Sequence, residues 1–592
     1  MKRVLLVFLS LGALSLSAQP ISYTSTSAIG NWGTARWNNS ADGPSYVSAY
    51  TANQNVNFTS GTYRFAGMGS TINVGNITVA SGVTVNFTSA SGTLATGGNV
   101  RTIDVGSGGL VRLGSQAIAT TAGTGFIKTG AGTLFLAGSA YPGGFTLNAG
   151  TVIVGGVNAL GNGSLTINGG TIGSDDRRDL SGKFAGGITV GGDFQLGAPS
   201  YPVNATLKFS NAMNFGGATR TLTIGGNASY TLGGVISNGG LTVNLASGAT
   251  GQLDLTAVNS YEGATTIFGG TVRANIAGAL GSAAGSVTVS GGTLNLSGYS
   301  HTKGQITLSS GTLSGGTMSS SIGFELQSGS AHANLSGTGA VSKTTSGTIT
   351  LTGNNEFSGG MSIADGTVLA YSNNALGSGA VSITGGTLSL AASYVTVGNA
   401  INIGASGTLM GTDAAAVTGS ITGTGTLAGT LNLAAGANVN AGNSPGILHN
   451  IGTLTFSSDS TLTWELGALS TADAGTHFDQ IANTGTINLN GGMLALSLGS
   501  FAPSADPFWA SDRSWTVIYS TAGGSTTGTA LGIASDQSGW ASLGSFGTSL
   551  IGQDMVLSWT AAAIPETSTY AAIFGALALA GVCVHRRRQA RR

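Results

Sequence analysis

The chain has 592 residues, 101 of them glycine, and only 7% are charged, with 21 basic residues set against 21 acidic ones. An average soluble protein carries roughly 25% charged residues and about 7% glycine, so an ordinary charged globular surface is excluded and serine, threonine, asparagine and glycine must cover the outside. There is no three-residue glycine period of the collagen type, and 41% hydrophobic content is too high for a disordered linker; one elongated repeat body is the reading that remains.

The first element is an export signal. Lys2 and Arg3 form a basic start, Val4 to Leu16 an apolar run, and Ser17-Ala18 a small-residue cleavage site, which predicts a secretory signal peptide over residues 1–18, cut by signal peptidase between Ala18 and Gln19. Residues 19–60 follow as an N-terminal cap. Trp32, Trp37, Tyr46 and Tyr50 supply aromatic bulk there, as an open end of a repeat needs a cover.

The body, residues 61–500, repeats itself, most clearly over 125–172, 251–296 and 341–390. Residues 141–171 read YPGGFTLNAGTVIVGGVNALGNGSLTINGGT, residues 261–293 read YEGATTIFGGTVRANIAGALGSAAGSVTVSGGT, and residues 357–387 read FSGGMSIADGTVLAYSNNALGSGAVSITGGT. The shared frame is an aromatic residue, a glycine-rich turn, a strand, Gly-Thr, a second strand, an Ala-Leu-Gly turn, a third strand and Gly-Gly-Thr. Strands such as Ser164-Leu165-Thr166-Ile167-Asn168 alternate apolar and polar positions, which buries one face and wets the other. Successive Gly-Thr signposts (Thr151 and Thr171, Thr271 and Thr293, Thr367 and Thr387) stand about 20 residues apart, too close for a helical crossover between parallel strands. Short strands turned at glycine corners into a coil are what remains, with asparagines such as Asn148, Asn158 and Asn374 tolerating the same corners and able to stack in ladders.

This frame resembles the autotransporter-associated β-strand repeat found in passenger regions of secreted bacterial proteins. The resemblance implies an all-β fold, a right-handed parallel β-helix or solenoid, in a protein of the Gram-negative cell surface. About 22 coils at the ~4.8 Å strand spacing would make a rod on the order of 100 Å. Asn443-Ser444-Pro445-Gly446, followed by Phe478-Asp479-Gln480, resembles the last stretch of the same passenger regions. Trp509, Trp515 and Trp540 then predict closing strands over 501–563. The amphipathic strands of an outer-membrane barrel are not expected in this sequence.

The final element, 564–592, is tripartite: Pro565-Glu566-Thr567, an apolar run from Tyr570 to Val584, and the basic tail Arg586, Arg587, Arg588, Arg591 and Arg592. It resembles the PEP-CTERM sorting signal, although the third position of the box is threonine where the pattern has proline. The resemblance implies a helix that stops transiently in the inner membrane, arginines held in the cytoplasm, and cleavage by an exosortase-like peptidase in a bacterium that makes exopolysaccharide.

Without the two signals, 21 − 2 − 5 = 14 basic and 21 − 1 = 20 acidic residues remain, a net of −6. That mildly acidic body has no electrostatic footprint for nucleic acid. The single cysteine, Cys583, lies in the apolar tail, so burial and backbone hydrogen bonds hold the body together.

Parallel β-helices also host polysaccharide lyases and glycosidases, whose chemistry needs acids gathered on one face. Asp175-Asp176-Arg177-Arg178-Asp179 reads as a solvated, self-cancelling loop. Asp473, His477 and Asp479 offer one imidazole, too few for a transition metal. His301, His332, His449 and His585 are scattered, and the Gly-x-Gly strings fall between strands. No catalytic residue, cofactor or metal is expected. The sequence therefore favours a structural or adhesive surface protein associated with exopolysaccharide; a carbohydrate-binding module presenting Tyr141, Tyr261 and Phe357 outward is the second reading, and a polysaccharide-cleaving enzyme the third.

Overall fold

The computed structural model describes residues 21–24, 28–31, 53, 55–67, 71–87, 93–114, 117–120, 123–138, 141–198, 205–442, 445–521, 523–563 and 567–591. The signal peptide with Ala18 and Gln19, the cap aromatics Trp32, Trp37, Tyr46 and Tyr50, Pro565, Glu566 and Arg592 lie outside the described residues. The chain divides into two compact units, residues 1–341 with 352–359, and residues 342–351 with 360–592.

Unit one is a parallel β-solenoid with three strands per coil. Its strands are three to six residues long through most of the repeat, as in Gly144–Leu147, Thr151–Val154 and Leu165–Ile167. Each pairs in parallel with the strand one coil further along, so that like residues stack. One interior column runs Phe126, Phe145, Leu165, Ile188, Met213 and Ile236. A second runs Val111, Leu134, Val152, Ile172, Leu196 and Ile224, and a third Leu207, Tyr230, Leu253, Val272, Leu294 and Leu313. Every one of these side chains is buried. The period-two pattern dictates this directly, because each strand sends alternate side chains inward.

The Gly-Thr signposts are register partners on neighbouring coils: Thr151 opposes Thr171 and Thr271 opposes Thr293. Outward columns are polar, and five half-exposed threonines, Thr221, Thr242, Thr266, Thr288 and Thr307, stack in successive coils. An asparagine ladder is present too, with Asn168 Nδ2 donating to Asn148 Oδ1 at 2.9 Å.

Unit two repeats the plan. Met361, Val381, Ile401, Ile421, Val439, Leu462 and Leu494 form one interior column. Thr348, Thr367, Thr387, Thr408 and Thr426 form a threonine column at the strand starts. The parallel pairing then gives way to an antiparallel sheet, in which Asp554–Ala561 lies between Arg513–Ser520 and Gly544–Ile551. Trp464, Trp509, Trp515, Phe546 and Trp559 pack there with ring centroids 5.0 to 6.2 Å apart. Three of these indoles find acceptors: Trp464 Nε1 donates to the Asp479 carbonyl, Trp515 Nε1 to the Ser470 carbonyl and Trp559 Nε1 to the Trp509 carbonyl, whereas the buried Trp509 Nε1 has no partner among the described residues. A tryptophan-rich antiparallel cover suits an end where parallel coils would expose unpaired backbone.

Among the described residues, helix consists of three short 3-10 turns, Gly499–Phe501, Pro507–Ala510 and Ser538–Trp540, and one α-helix at the tail, Thr567–Gln589. The membrane-span expectation for Tyr570 to Val584 is corrected here, since no helix among the described residues is long and apolar enough to cross a membrane. The physical reason is length. Fifteen apolar residues at 1.5 Å each give about 22 Å, against a ~30 Å hydrocarbon core, and the same helix already carries Arg586, Arg587 and Arg588 in its last turn.

Candidate functional site

The aromatic that opens each repeat is buried, which overturns the expectation of an outward row. Tyr141, Tyr261 and Phe357 are each at most 1% exposed. Tyr141 and Tyr261 each fill the coil beneath the Ala-Leu-Gly turn of their repeat, whose alanine and leucine are also buried: Ala159 and Leu160, Ala279 and Leu280. The glycine of that turn has a double reason. Gly281 adopts φ +78°, and a Cβ there would lie 2.6 Å from the Tyr261 carbonyl oxygen and 2.7 Å from its Cε2. Gly161 repeats this at φ +76°, 2.5 Å from Tyr141 Cε2. The Tyr261 hydroxyl shares a 2.7 Å hydrogen bond with Thr265 Oγ1; burial pushes this phenol well above its usual range. The aromatic is a structural peg of the repeat.

Three lysines occupy interior positions that sequence reading missed. Lys128 is 0% exposed and stands in register between Ile103 and Leu147. Its Nζ donates to the carbonyls of Thr129, Gly130 (2.7 Å) and Ala149 (3.3 Å), turning an ammonium into a cap for corner backbone. Lys343 does the same for the carbonyls of Thr345 and Asp365, and Lys303 for those of Leu280 and Ser282 at 2.7 and 2.5 Å. Burial lowers the pKa of Lys128, against a raising effect of Asp104, and of Lys303, each to about 8. The available signal was the recurrence of Lys-Thr before a Gly-Thr strand, at Lys128-Thr129 and Lys343-Thr344.

The acid-containing places are dispersed. In the Asp175–Asp179 loop, Arg178 pairs with Asp175 at 2.6 Å, and Asp179 with Lys208 at 3.1 Å, so its charges cancel locally. Asp479 is buried; its carboxylate accepts from the backbone N–H groups of Gly446 (2.9 Å) and Glu465 (3.0 Å), and burial nonetheless raises its pKa to about 7. His477 lies on the exposed side, 3.6 Å from Asp473. Asp479 thus braces the turn after Pro445 and is separated in role from its two neighbours in sequence. Asp254 accepts from Arg273 at 2.6 Å, Asn275 at 3.2 Å and the Ser229 hydroxyl; burial pushes its pKa up, but these partners outweigh it and hold the carboxyl below the usual range. Among the described residues, no three His, Cys, Asp or Glu side chains are grouped so that they could hold a metal ion.

The remaining sites lie apart from one another. His301 is 3% exposed, with Nε2 lacking a hydrogen-bond partner; burial first, then Lys303, lowers its pKa to about 4, so the ring is neutral. His332 Nδ1 shares a 2.8 Å hydrogen bond with Thr352, and His585 is in the tail helix beside Gln589. His449 is in register with Thr426. Thr567 begins the tail helix, Arg586, Arg587 and Arg588 end it, and Arg591 follows it.

In unit one a polar cleft of about 530 Å³ opens beside an irregular corner. The regular pairing of Met213–Ile224 with Ile236–Leu245 breaks between Asn214 and Ala218, where the chain makes an excursion through Gly216 and Gly217. Asn214, Thr219, Asn238, Ser260 and Glu262 line the opening with these glycines and Gly239 and Gly263.

Residues 126–154, 250–274 and 341–370 match the passenger-associated-transport-repeat family. Two of these segments hold the buried lysines Lys128 and Lys343, and all three hold an aromatic peg, Tyr141, Tyr261 or Phe357. Over 240 residues, 40% of the chain, it is 29% identical to the adhesin BmaC autotransporter of Brucella suis biovar 1. That stretch spans about 6% of the relative's length.

Proposed function

We propose that the protein is an exported, non-enzymatic surface or extracellular-matrix protein of a Gram-negative bacterium, with a structural or adhesive role in association with exopolysaccharide. The observation that carries this reading is the repeat itself. Its pegs, glycine corners and buried lysines serve coil stacking, while the outward columns present hydroxyls and amides, and the likeness to an autotransporter adhesin supports a place at the surface. A low-charge face of stacked threonines suits multivalent contact with hydroxyl-rich polymers, where many weak contacts add.

In this reading signal peptidase cuts after Ala18, and an exosortase-like peptidase at the inner membrane removes the tail near Pro565-Glu566, releasing the solenoid to the surface or matrix. The test compares strains with and without the gene for attachment and matrix retention. Deletion should lower attachment and release polysaccharide to the medium, and restoring the chain should reverse both. Unchanged attachment and unchanged polysaccharide retention in the deletion strain would refute the proposal.

A further inference from the structure

The polar cleft at the broken corner of unit one has features that coil stacking does not explain. The peg Tyr261 is buried, while Ser260, Glu262 and Gly263 beside it line the opening. Here the chain bulges outward and leaves a cavity of about 530 Å³, within the ~300–1,000 Å³ range of small-ligand sites. Asn238 holds the left-handed region at φ +56°, a conformation uncommon outside glycine and worth a functional question when the surrounding structure enforces it. The enforcement is visible: Asn214 Oδ1 accepts from Gly216 N at 2.8 Å and from Asn238 Nδ2 at 3.2 Å, locking both carboxamides.

That locking decides which atoms stay available. Among the described residues, both N–H groups of Asn214 Nδ2 and the Asn238 Oδ1 acceptor have no hydrogen-bond partner, and the hydroxyls of Thr219 and Ser260 have none either. Glu262 is exposed at the rim and forms no ion pair among the described residues. The set therefore offers fixed amide donors, a fixed amide acceptor, two hydroxyls that serve as either, and one carboxylate acceptor. Hard cations need six to eight oxygens, commonly from several carboxylates, and a single carboxylate beside amide N–H donors does not supply them. A ring bearing alternating hydroxyl or acetamido groups matches both donors and acceptors.

We infer that this cleft is a saccharide-binding site taking one or two neutral sugar rings, with Asn214, Asn238 and Glu262 reading hydroxyl or acetamido groups. The inference rests on the surface reading above and gives the association with polysaccharide a defined contact point. Asn214 and Asn238 orient the sugar, Glu262 accepts from its hydroxyls or amide, and Thr219 and Ser260 complete the rim.

The test is isothermal titration of the purified full chain with cellobiose and, separately, chitobiose. One of the two should bind with one site per chain; Glu262→Gln should weaken it at least tenfold and Ser260→Phe, which fills the opening from an exposed position, should abolish it. Both variants should melt as the parent does, since neither residue is buried. Heat undiminished in both variants, or no binding of either sugar at millimolar concentration, would overturn the inference. A deletion strain that loses attachment although neither sugar binds would leave the surface role standing and sink the cleft alone.

Discussion

Replacing Gly281 by alanine tests the peg-and-turn packing of the repeat at a single atom. The added Cβ must accept φ +78°, and it must also fit 2.6 Å from the Tyr261 carbonyl oxygen and 2.7 Å from its ring. The left-handed conformation costs an L-residue about 1–2 kcal/mol. Pressing a methyl into a packed interior adds about 1–3 kcal/mol, for a total of about 2–5 kcal/mol. Gly298 provides the internal control, because it has φ +86° and a methyl group added there would meet nothing within 4 Å; Gly298→Ala should cost only the conformational part, about 1–2 kcal/mol. Coils respond locally in a solenoid, so the suitable readout is amide hydrogen exchange around each substitution, residues 259–289 for Gly281 and residues 290–316 for Gly298, with urea denaturation as a global check. The Gly281 variant should lose about 1–3 kcal/mol more protection than the Gly298 variant, and trimming the peg with Tyr261→Leu should make the two glycine substitutions less than additive. Equal losses at the two glycines would refute the steric role of the tyrosine.

Three further outcomes follow from the buried ionisable groups and the tail. A lysine whose folded pKa lies near 8, below its unfolded value, is held less tightly as a cation in the fold, so stability should rise as pH climbs from about 8 toward the ordinary lysine range; Lys128→Met should flatten that rise in a thermal melt series. Asp479 runs the other way: with its folded pKa raised to about 7, it contributes most below the ordinary carboxyl range and progressively less as pH rises to 7, and Asp479→Asn should erase that segment of the pH profile. Mass spectrometry of the mature protein should find a C-terminus near Pro565-Glu566, and a terminus at Arg592 would contradict processing of the tail.

Much of the architecture could be read from the chain because two periods coincide. The two-residue alternation within strands such as Ser164–Asn168 and the recurrence of Gly-Thr about every 20 residues both survive folding, so Thr151, Thr171, Thr271 and Thr293 appear as register partners. The aromatics were harder, since Tyr141 and Tyr261 beside glycine-rich turns have the local composition of exposed loops. Only the coil above, which brings Gly161 or Gly281 onto the ring, shows that they are buried. Lys128 illustrates a different limit. Lysine reads as surface by default, and the carbonyls that satisfy it come partly from Ala149, 21 residues away. The cleft is less legible still: Asn214, Asn238 and Glu262 are ordinary corner residues one coil apart, and it is the break in register between Asn214 and Ala218 that opens the space between them.

The most direct test of a surface role is antibody labelling of intact, unpermeabilised cells, using serum raised against the repeat body. Strong labelling of the cell surface or surrounding matrix is expected, lost on deletion of the chain. Labelling that appears only after the envelope is permeabilised would contradict that role.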